Sequence, residues 1–214
     1  MNIHSIFRRI SPYFRKKRFE VFVSRIKPKG SERILDVGGY PETWTTQEPC
    51  GESVDVLNIH PIAFEPSSYP KHAISTLVGN ACSLEIPNGT YDVVFSNSVI
   101  EHVGTWENQV RFAHEVRRVG SRLWIQTPAR EFFIEPHYIA PLVHWFPKTW
   151  QRRLLRRFTI WGWIEKPTPE QIAEIVDEIR LLTLAEMKKL FPDCEIFRER
   201  FCFFFTKSYT AYRG

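Results

Sequence analysis

Residues 33–40, Arg33-Ile34-Leu35-Asp36-Val37-Gly38-Gly39-Tyr40, decide how the chain is read. Ile34, Leu35 and Val37 form a short apolar run that ends on two glycines. This is the pattern of a buried parallel strand that turns sharply and lets a ligand approach its backbone. Without Cβ atoms, Gly38 and Gly39 can take positive φ and expose their amides. Asp36, at the carboxyl end of the strand, is expected to place its carboxylate at the crevice where open α/β sheets bind ligands. There it suits a cationic or hydroxyl-bearing ligand better than a phosphate.

Downstream the same pattern recurs. A second strand, Ser53 to Ile59, closes on His60-Pro61, and a third, Ala73 to Val78, runs into Gly79-Asn80-Ala81-Cys82. A fourth, Tyr91 to Phe95, ends in Ser96-Asn97-Ser98 and is followed by Val99-Ile100-Glu101-His102-Val103. An amphipathic helix is expected from about Thr105 to Val119, with Trp106, Val110, Ala113, Val116 and Val119 on its apolar face. Gly120 is expected to close it as a C′ residue before a fifth strand, Leu123 to Gln126. Strands alternating with helices or crossovers imply a mostly parallel sheet with its ligand crevice at the carboxyl ends of the strands. Asp36, Gly38, Gly39, Asn58, Asn80, Ser96 and Asn97 all fall at such ends. Asn58 lies 22 residues after Asp36, close to the ~20-residue interval at which dinucleotide-type folds bind ribose hydroxyls. Asp55, inside the second strand, is the weaker candidate for that role.

Residues 131–182 break the alternation with aromatic, proline-rich and basic sequence, and read as a cap inserted over the crevice. Thr168-Pro169-Glu170-Gln171 and Thr183-Leu184-Ala185-Glu186 are capping boxes that start two further helices. Two β runs, Cys194 to Arg198 and Phe203 to Tyr212, should close the sheet as an antiparallel pair. The run Arg152 to Arg157 reads either as a solvated helix face or as a contact for an anionic acceptor, phosphate- or lipid-linked.

A length of 214 residues suits one α/β domain with an insertion, and is too short for two ordinary domains with separate cores. No stretch approaches the ~18 apolar residues of a membrane span. The amino terminus lacks the apolar core and cleavage site of a signal peptide, so the cytoplasm is the expected compartment. Cys50, Cys82, Cys194 and Cys202 form no C-x-x-C pair and have no histidines at zinc-ligand spacing, so reduced thiols and no metal site are expected. The net charge of +5 is unevenly spread: residues 1–30 hold nine Lys or Arg against Glu20, and the rest of the chain is net acidic. Phe7, Ile10, Tyr13, Phe14, Phe19, Phe22, Val23 and Ile26 alternate with those cations. That mixture predicts a basic amino-terminal helical segment, residues 1–30, docked by its apolar side on a domain spanning 31–214. Peripheral contact of this segment with an anionic membrane or substrate is the second reading.

The ordered motifs resemble the class I S-adenosylmethionine-dependent methyltransferases, most closely their type-11 methyltransferase-domain group. Ile34 to Gly39 is similar to the family's first motif, Leu57-Asn58-Ile59-His60-Pro61 to its second-strand motif, and Gly79-Asn80-Ala81 to its adenine-contacting turn. Tyr91 to Val103 resembles the fourth-strand motif and is the most specific of the set. The resemblance implies a Rossmann-like fold, a mostly parallel seven-stranded sheet with an antiparallel closing strand, and S-adenosylmethionine as cofactor. It implies a cofactor site of Asp36, Gly38, Gly39, Tyr40, Asn58, Ile59, Asn80, Ala81, Cys82, Ser96 and Asn97. In that site Asp36 and the glycines would lie by the methionine end, Asn58 at the ribose, Asn80 at the adenine amino group and Ser96 near the sulfonium. The chain departs from the pattern at Tyr40, where the family usually has another glycine, and at Asn58, where it usually has an acid.

Methyl transfer from a sulfonium needs an aligned acceptor, exclusion of water and, for a hydroxyl acceptor, removal of a proton. His137, with Glu135 as its orienting carboxylate, and His102 are the expected catalytic residues; His144 is the third histidine of that region. The expected partner is a small-molecule methyl acceptor, anionic or lipid- or sugar-linked, at oxygen or nitrogen. No base-reading module for nucleic acid is present. Two other readings stand beside this one: a non-catalytic partner protein on the same fold, and a nicotinamide-dependent oxidoreductase, against which the full G-x-G-x-x-G is missing.

Overall fold

A computed structural model describes residues 16–138 and 140–214. Residues 16–26 are helical (α1) and place Phe19, Phe22 and Ile26 against the sheet, as the interleaved sequence predicts. The part of the basic segment carrying Phe7, Ile10, Tyr13 and Phe14 lies outside the described residues. Then follow β1 (Arg33–Val37), the single turn α2 (Glu42–Thr45), β2 (Ser53–Asn58), β3 (Ile74–Val78), β4 (Tyr91–Asn97), α3 (Trp106–Val119) and β5 (Gly120–Pro128). After β5 come a two-stranded ribbon, β6 (Ile134–Glu135) with β7 (Ala140–Pro141), and the helices α4 (Lys148–Phe158), α5 (Ile160–Glu165) and α6 (Pro169–Glu178). Helix α7 (Leu184–Leu190) leads to β8 (Glu195–Phe201) and β9 (Phe205–Arg213).

The main sheet has the order β3-β2-β1-β4-β5-β9-β8. Strands β1 to β5 pair in parallel, while β9 runs antiparallel to both β5 and β8. The closing hairpin is therefore folded back, with its second strand inserted beside β5 and its first at the edge. Both faces are covered, which is why β1 reads as a nearly continuous apolar run. One face packs on α3 and α7 through Leu35, Val94, Phe112, Val116, Leu123 and Met187. The other packs on α1 and α2 through Phe22, Trp44, Phe95 and Trp124. The residues between β5 and α7 hold a third cluster of their own, around Tyr138, Leu155, Ile172 and Val176. Both expected capping boxes form, at Thr168 with Gln171 and at Thr183 with Glu186.

Three local expectations are corrected. The buried face of α3 is Gln109, Phe112, Ala113, Val116 and Val119, with Val110 facing solvent. Gln109 is drawn inside because its amide bonds the carbonyls of Ile100 and Arg180. Gly120 is extended (φ −119°), not a left-handed C′ residue. It opens β5, and a Cβ there would lie 2.4 Å from Val94 Cγ2, so close strand packing explains the glycine. Asp36 does not present its carboxylate to the crevice. It is 1% exposed, its Oδ2 accepts a 2.7 Å bond from Trp44 Nε1, and its Oδ1 has no partner. The carboxylate folds back under the turn, and a Cβ on Gly39 would sit 1.9 Å from it. Burial raises Asp36 to about 7, against the smaller downward pull of the Trp44 hydrogen bond.

Two stability outcomes follow from this packing. Phe22 has ring centroids of Trp44, Phe95 and Trp124 within 6.2 Å. Phe22→Ala should lower the unfolding free energy in urea by ~3–5 kcal/mol, and a loss under 1 kcal/mol would show that α1 is not part of the core. The folded state keeps a proton on Asp36 that the unfolded chain releases, so this group's contribution falls as pH rises from the ordinary aspartate range through about 7. Asp36→Asn should therefore gain on the wild type by a few kcal/mol, ~1.4 per pH unit, in denaturation compared at pH 5 and pH 8.

Candidate functional site

The carboxyl ends of β1 to β4 open into a cleft of about 640 Å³, within the range of small-molecule and cofactor sites. Its floor begins at Gly38, whose amide donates to Leu57 O at 2.7 Å and thereby extends the β1–β2 pairing one residue past the strand. Gly38 has φ +73°, and a Cβ there would lie 2.6 Å from both γ-carbons of Val99. A side chain is excluded on two independent grounds, so the backbone itself forms the wall.

Of the residues expected to bind cofactor, Gly38, Tyr40, Asn58, Ile59, Asn80, Ala81 and Cys82 line the cleft. Asn58 closes β2, and its Oδ1 accepts from the Ile59 amide at 2.8 Å while its Nδ2 donates to Gly39 O at 3.3 Å. One amide hydrogen and a lone pair remain for a hydroxyl-bearing ligand. Asn80 caps its own turn by accepting from the Cys82 amide at 2.9 Å, which fixes the loop after β3. Tyr40 is 58% exposed and stands on the rim, so it does not fill the hollow.

Asp36, Gly39, Ser96 and Asn97 are not on the wall. Ser96 is buried and donates to Val37 O at 2.9 Å, tying β4 to β1. Asp55 is likewise structural, accepting from Ser75 and from the Tyr91 hydroxyl. The cleft also gains residues that the sequence reading passed over: Ser98, Arg111 and Glu178. Ser98 has φ +55°, and its hydroxyl bonds Gln126 Oε1, which also accepts from Arg18 of α1. Its only sequence signal is its place inside the fourth-strand motif, just past the strand. Glu178, the last residue of α6, had none, because only the fold of the insertion brings it here.

The two expected catalytic histidines meet. Nε2 of His137 lies 3.1 Å from Nε2 of His102, with the rings edge to face. His137 Nδ1 is 2.5 Å from Glu135 Oε1, and His102 Nδ1 is 2.8 Å from Glu178 Oε1. Ionised carboxylates only accept, so both Nδ1 atoms carry hydrogen, and the Nε2–Nε2 contact requires one further shared proton. Burial opposes a charge on His137, but the Glu135 hydrogen bond and the charges of Glu135, Glu101 and Glu178 outweigh it and hold its pKa above the ordinary 6.5. His102 lines the cleft; His137 stands behind it. Glu101, wholly buried beside the pair, accepts from Thr127 Oγ1 at 2.9 Å and leaves Oε1 without a partner. Burial raises its pKa, partly offset by the two histidines. Ligand atoms of Glu101, His102 and His137 lie within 4.8 Å of one another, close enough for a cation. The expectation of no metal site was drawn from the cysteines and did not weigh this trio. His144 is elsewhere, with its Nε2 bonding Arg130 O at 2.9 Å, and burial lowers its pKa.

Residues 50–122 match a family model described as a methyltransferase domain. No curated protein matches the chain. Among solved structures, the YcgJ protein of Bacillus subtilis is similar at TM-score 0.56 and 14% identity, over 85% of this chain and 69% of that one. Phosphoethanolamine N-methyltransferase 2 of Haemonchus contortus, solved with phosphomonomethylethanolamine and S-adenosylhomocysteine, is similar at TM-score 0.56 and 15% identity, over 86% of this chain and 38% of that one. A structure described as putative Zn-dependent alcohol dehydrogenases of Rhodobacter sphaeroides reaches TM-score 0.55 at 13% identity, over 90% and 87% of the respective chains. At such identities the likenesses speak for the fold alone, and the family model speaks for residues 50–122. No helix among the described residues is long and apolar enough to cross a membrane. The chain therefore has a Rossmann-like fold like that of solved methyltransferases, and within it residues 50–122 match a methyltransferase-domain model.

Proposed function

We propose that the protein transfers a methyl group from S-adenosylmethionine to the oxygen or nitrogen of a small-molecule acceptor. The observation that carries this reading is one cleft that has a side-chain-free glycine turn and two asparagine-bearing strand ends, with His102 of a carboxylate-backed histidine pair on its wall. Gly38, Asn58 and Asn80 suit a nucleoside, by close backbone approach and by neutral hydrogen bonds to hydroxyl and amino groups. When bound, the cofactor supplies an already activated methyl group. This chain's residues then have to align the acceptor, exclude water and take its proton.

His102 is the member of the pair that faces the acceptor, and His137 is the positioning residue behind it, oriented by Glu135. The pair acts as base in the form that lacks its shared proton: the acceptor's proton is then held between His102 Nε2 and His137 Nε2, and the resulting charge is offset by Glu135, Glu178 and Glu101. Residues 131–182 act as the cap in this reading, since they supply both His137 and Glu178. Arg111 on the cleft wall supports an acceptor with negative charge, including a lipid- or sugar-linked one. The alternative of a non-catalytic scaffold is motivated by Tyr40 and Asn58, and Tyr40's rim position speaks against it.

Isothermal titration with S-adenosylhomocysteine should show one site per chain, and absence of binding would overturn the reading. Asn58→Ala and Asn80→Ala should each weaken that binding about tenfold, the scale of one lost hydrogen bond. NADH should leave the protein unchanged. The histidine pair has a separate readout: in a histidine NMR titration His137 should hold its proton above the ordinary histidine range. Glu135→Gln removes the main support for the imidazolium while burial persists, so the His137 midpoint should fall. An unmoved midpoint would exclude the Glu135–His137 relay.

A further inference from the structure

The outer corner of α4 and α5 is not used by the cleft. It is rigid on its inner side. Leu155 is wholly buried in the third apolar cluster. Thr159, between the helices, donates to Leu155 O at 2.6 Å and accepts from the Gly162 amide at 2.8 Å. A Cβ on Gly162 would lie 2.1 Å from Leu155 O, so the two helices touch backbone to backbone. Trp163 Nε1 is tied to Arg157 O at 2.6 Å, and Lys166 ends α5 in a left-handed conformation, φ +47°.

The outer side combines two features that water does not reward together. Phe158 and Trp163 are each 65% exposed and Ile160 is 44% exposed. Beside them Arg156, Arg157 and Lys166 line, with Gly162 and Trp163, a cavity of about 450 Å³. Helix α4 contains no acidic residue. Among the described residues no carboxylate pairs with Arg156, Arg157 or Lys166, whereas Arg152 and Lys148 both pair with Asp177. A merely solvated basic helix intersperses acids at i,i+4 and keeps large apolar side chains inside. A nucleic-acid surface would use the cations but leave Phe158 and Ile160 unexplained.

We propose that this α4–α5 corner is a docking surface for an anionic phospholipid bilayer. The phosphate of one lipid would sit among Arg156, Arg157 and Lys166, and Phe158, Ile160 and Trp163 would enter the headgroup boundary. Charge complementarity selects the occupant: clustered cations are attracted to an anionic leaflet, and aromatic rings favour the interface level. The inference is independent of methyl transfer, because none of these residues lines the cleft.

The test is flotation of the full chain with vesicles of phosphatidylcholine alone or with 30% phosphatidylserine. Binding should appear only with the anionic lipid. It should drop at least tenfold in Arg156→Gln/Arg157→Gln/Lys166→Gln and, separately, in Phe158→Ser/Trp163→Ser. Circular dichroism and unchanged S-adenosylhomocysteine titration would show that both variants are folded. Retention of vesicle binding in both variants would assign it to the basic amino-terminal segment and overturn the proposal. Inorganic phosphate titrated into the wild type distinguishes the sources. A saturable phosphate site without vesicle binding overturns the bilayer, as does self-association abolished by the same substitutions without vesicle binding.

Discussion

Everything in the cleft hangs on one backbone turn. Gly38 leaves β1 with φ +73°, stays hydrogen-bonded to Leu57 O, and passes Val99 at a distance that admits no side chain. This holds the ends of β1 and β2 together and keeps the space above them free of protein atoms. Beneath it, the Asp36 carboxylate is packed against the next residue's backbone and held by Trp44. A buried, half-satisfied carboxylate is costly. It is tolerated here because the turn it supports is the wall of the site.

The histidine pair depends on topology in a different way. His102 follows β4 directly, so its position is set by the sheet. His137 comes from the ribbon after β5, anchored because Glu135 is wholly buried and also accepts from the Tyr138 amide at 2.8 Å. Glu178 arrives from the far end of α6, where Arg180 donates its amide to Glu101 O at 2.8 Å. Three separate segments thus converge on two imidazoles, and the charge they can share is set by the three carboxylates around them rather than by either ring alone.

The insertion has two unlike sides. Its inner side closes an apolar cluster, brings Glu178 to the cleft and sets His137 behind His102. Its outer side exposes aromatic and unpaired basic residues on a stiff helical corner. In the proposed readings such a division lets one segment complete a reaction site while meeting a bilayer, with the Thr159–Gly162 contact joining α4 to α5.

Periodicity and turn chemistry made most of the fold legible in advance. The apolar runs ending at Gly38 and Asn97 define central parallel strands, because burial on both faces leaves few polar residues inside them, whereas the runs ending at Asn58 and Gly79 admit Asp55, Ser75 and Thr76 because β3 is the sheet edge. The capping boxes at Thr168 and Thr183 and the pairing of Glu135 with His137 are local, and local chemistry is written in adjacent residues. What sequence could not settle was direction. Asp36 and Ser96 sit at strand ends like Asn58 and Asn80, yet they turn inward, because a strand's alternating side chains go to opposite faces and the neighbouring Trp44 and Val37 claim them. The meeting of His102 with His137, and the entry of Arg111 and Glu178 into the cleft, were decided by tertiary packing alone. Contacts between distant segments depend on how the insertion folds over the sheet, and no periodic signal encodes that.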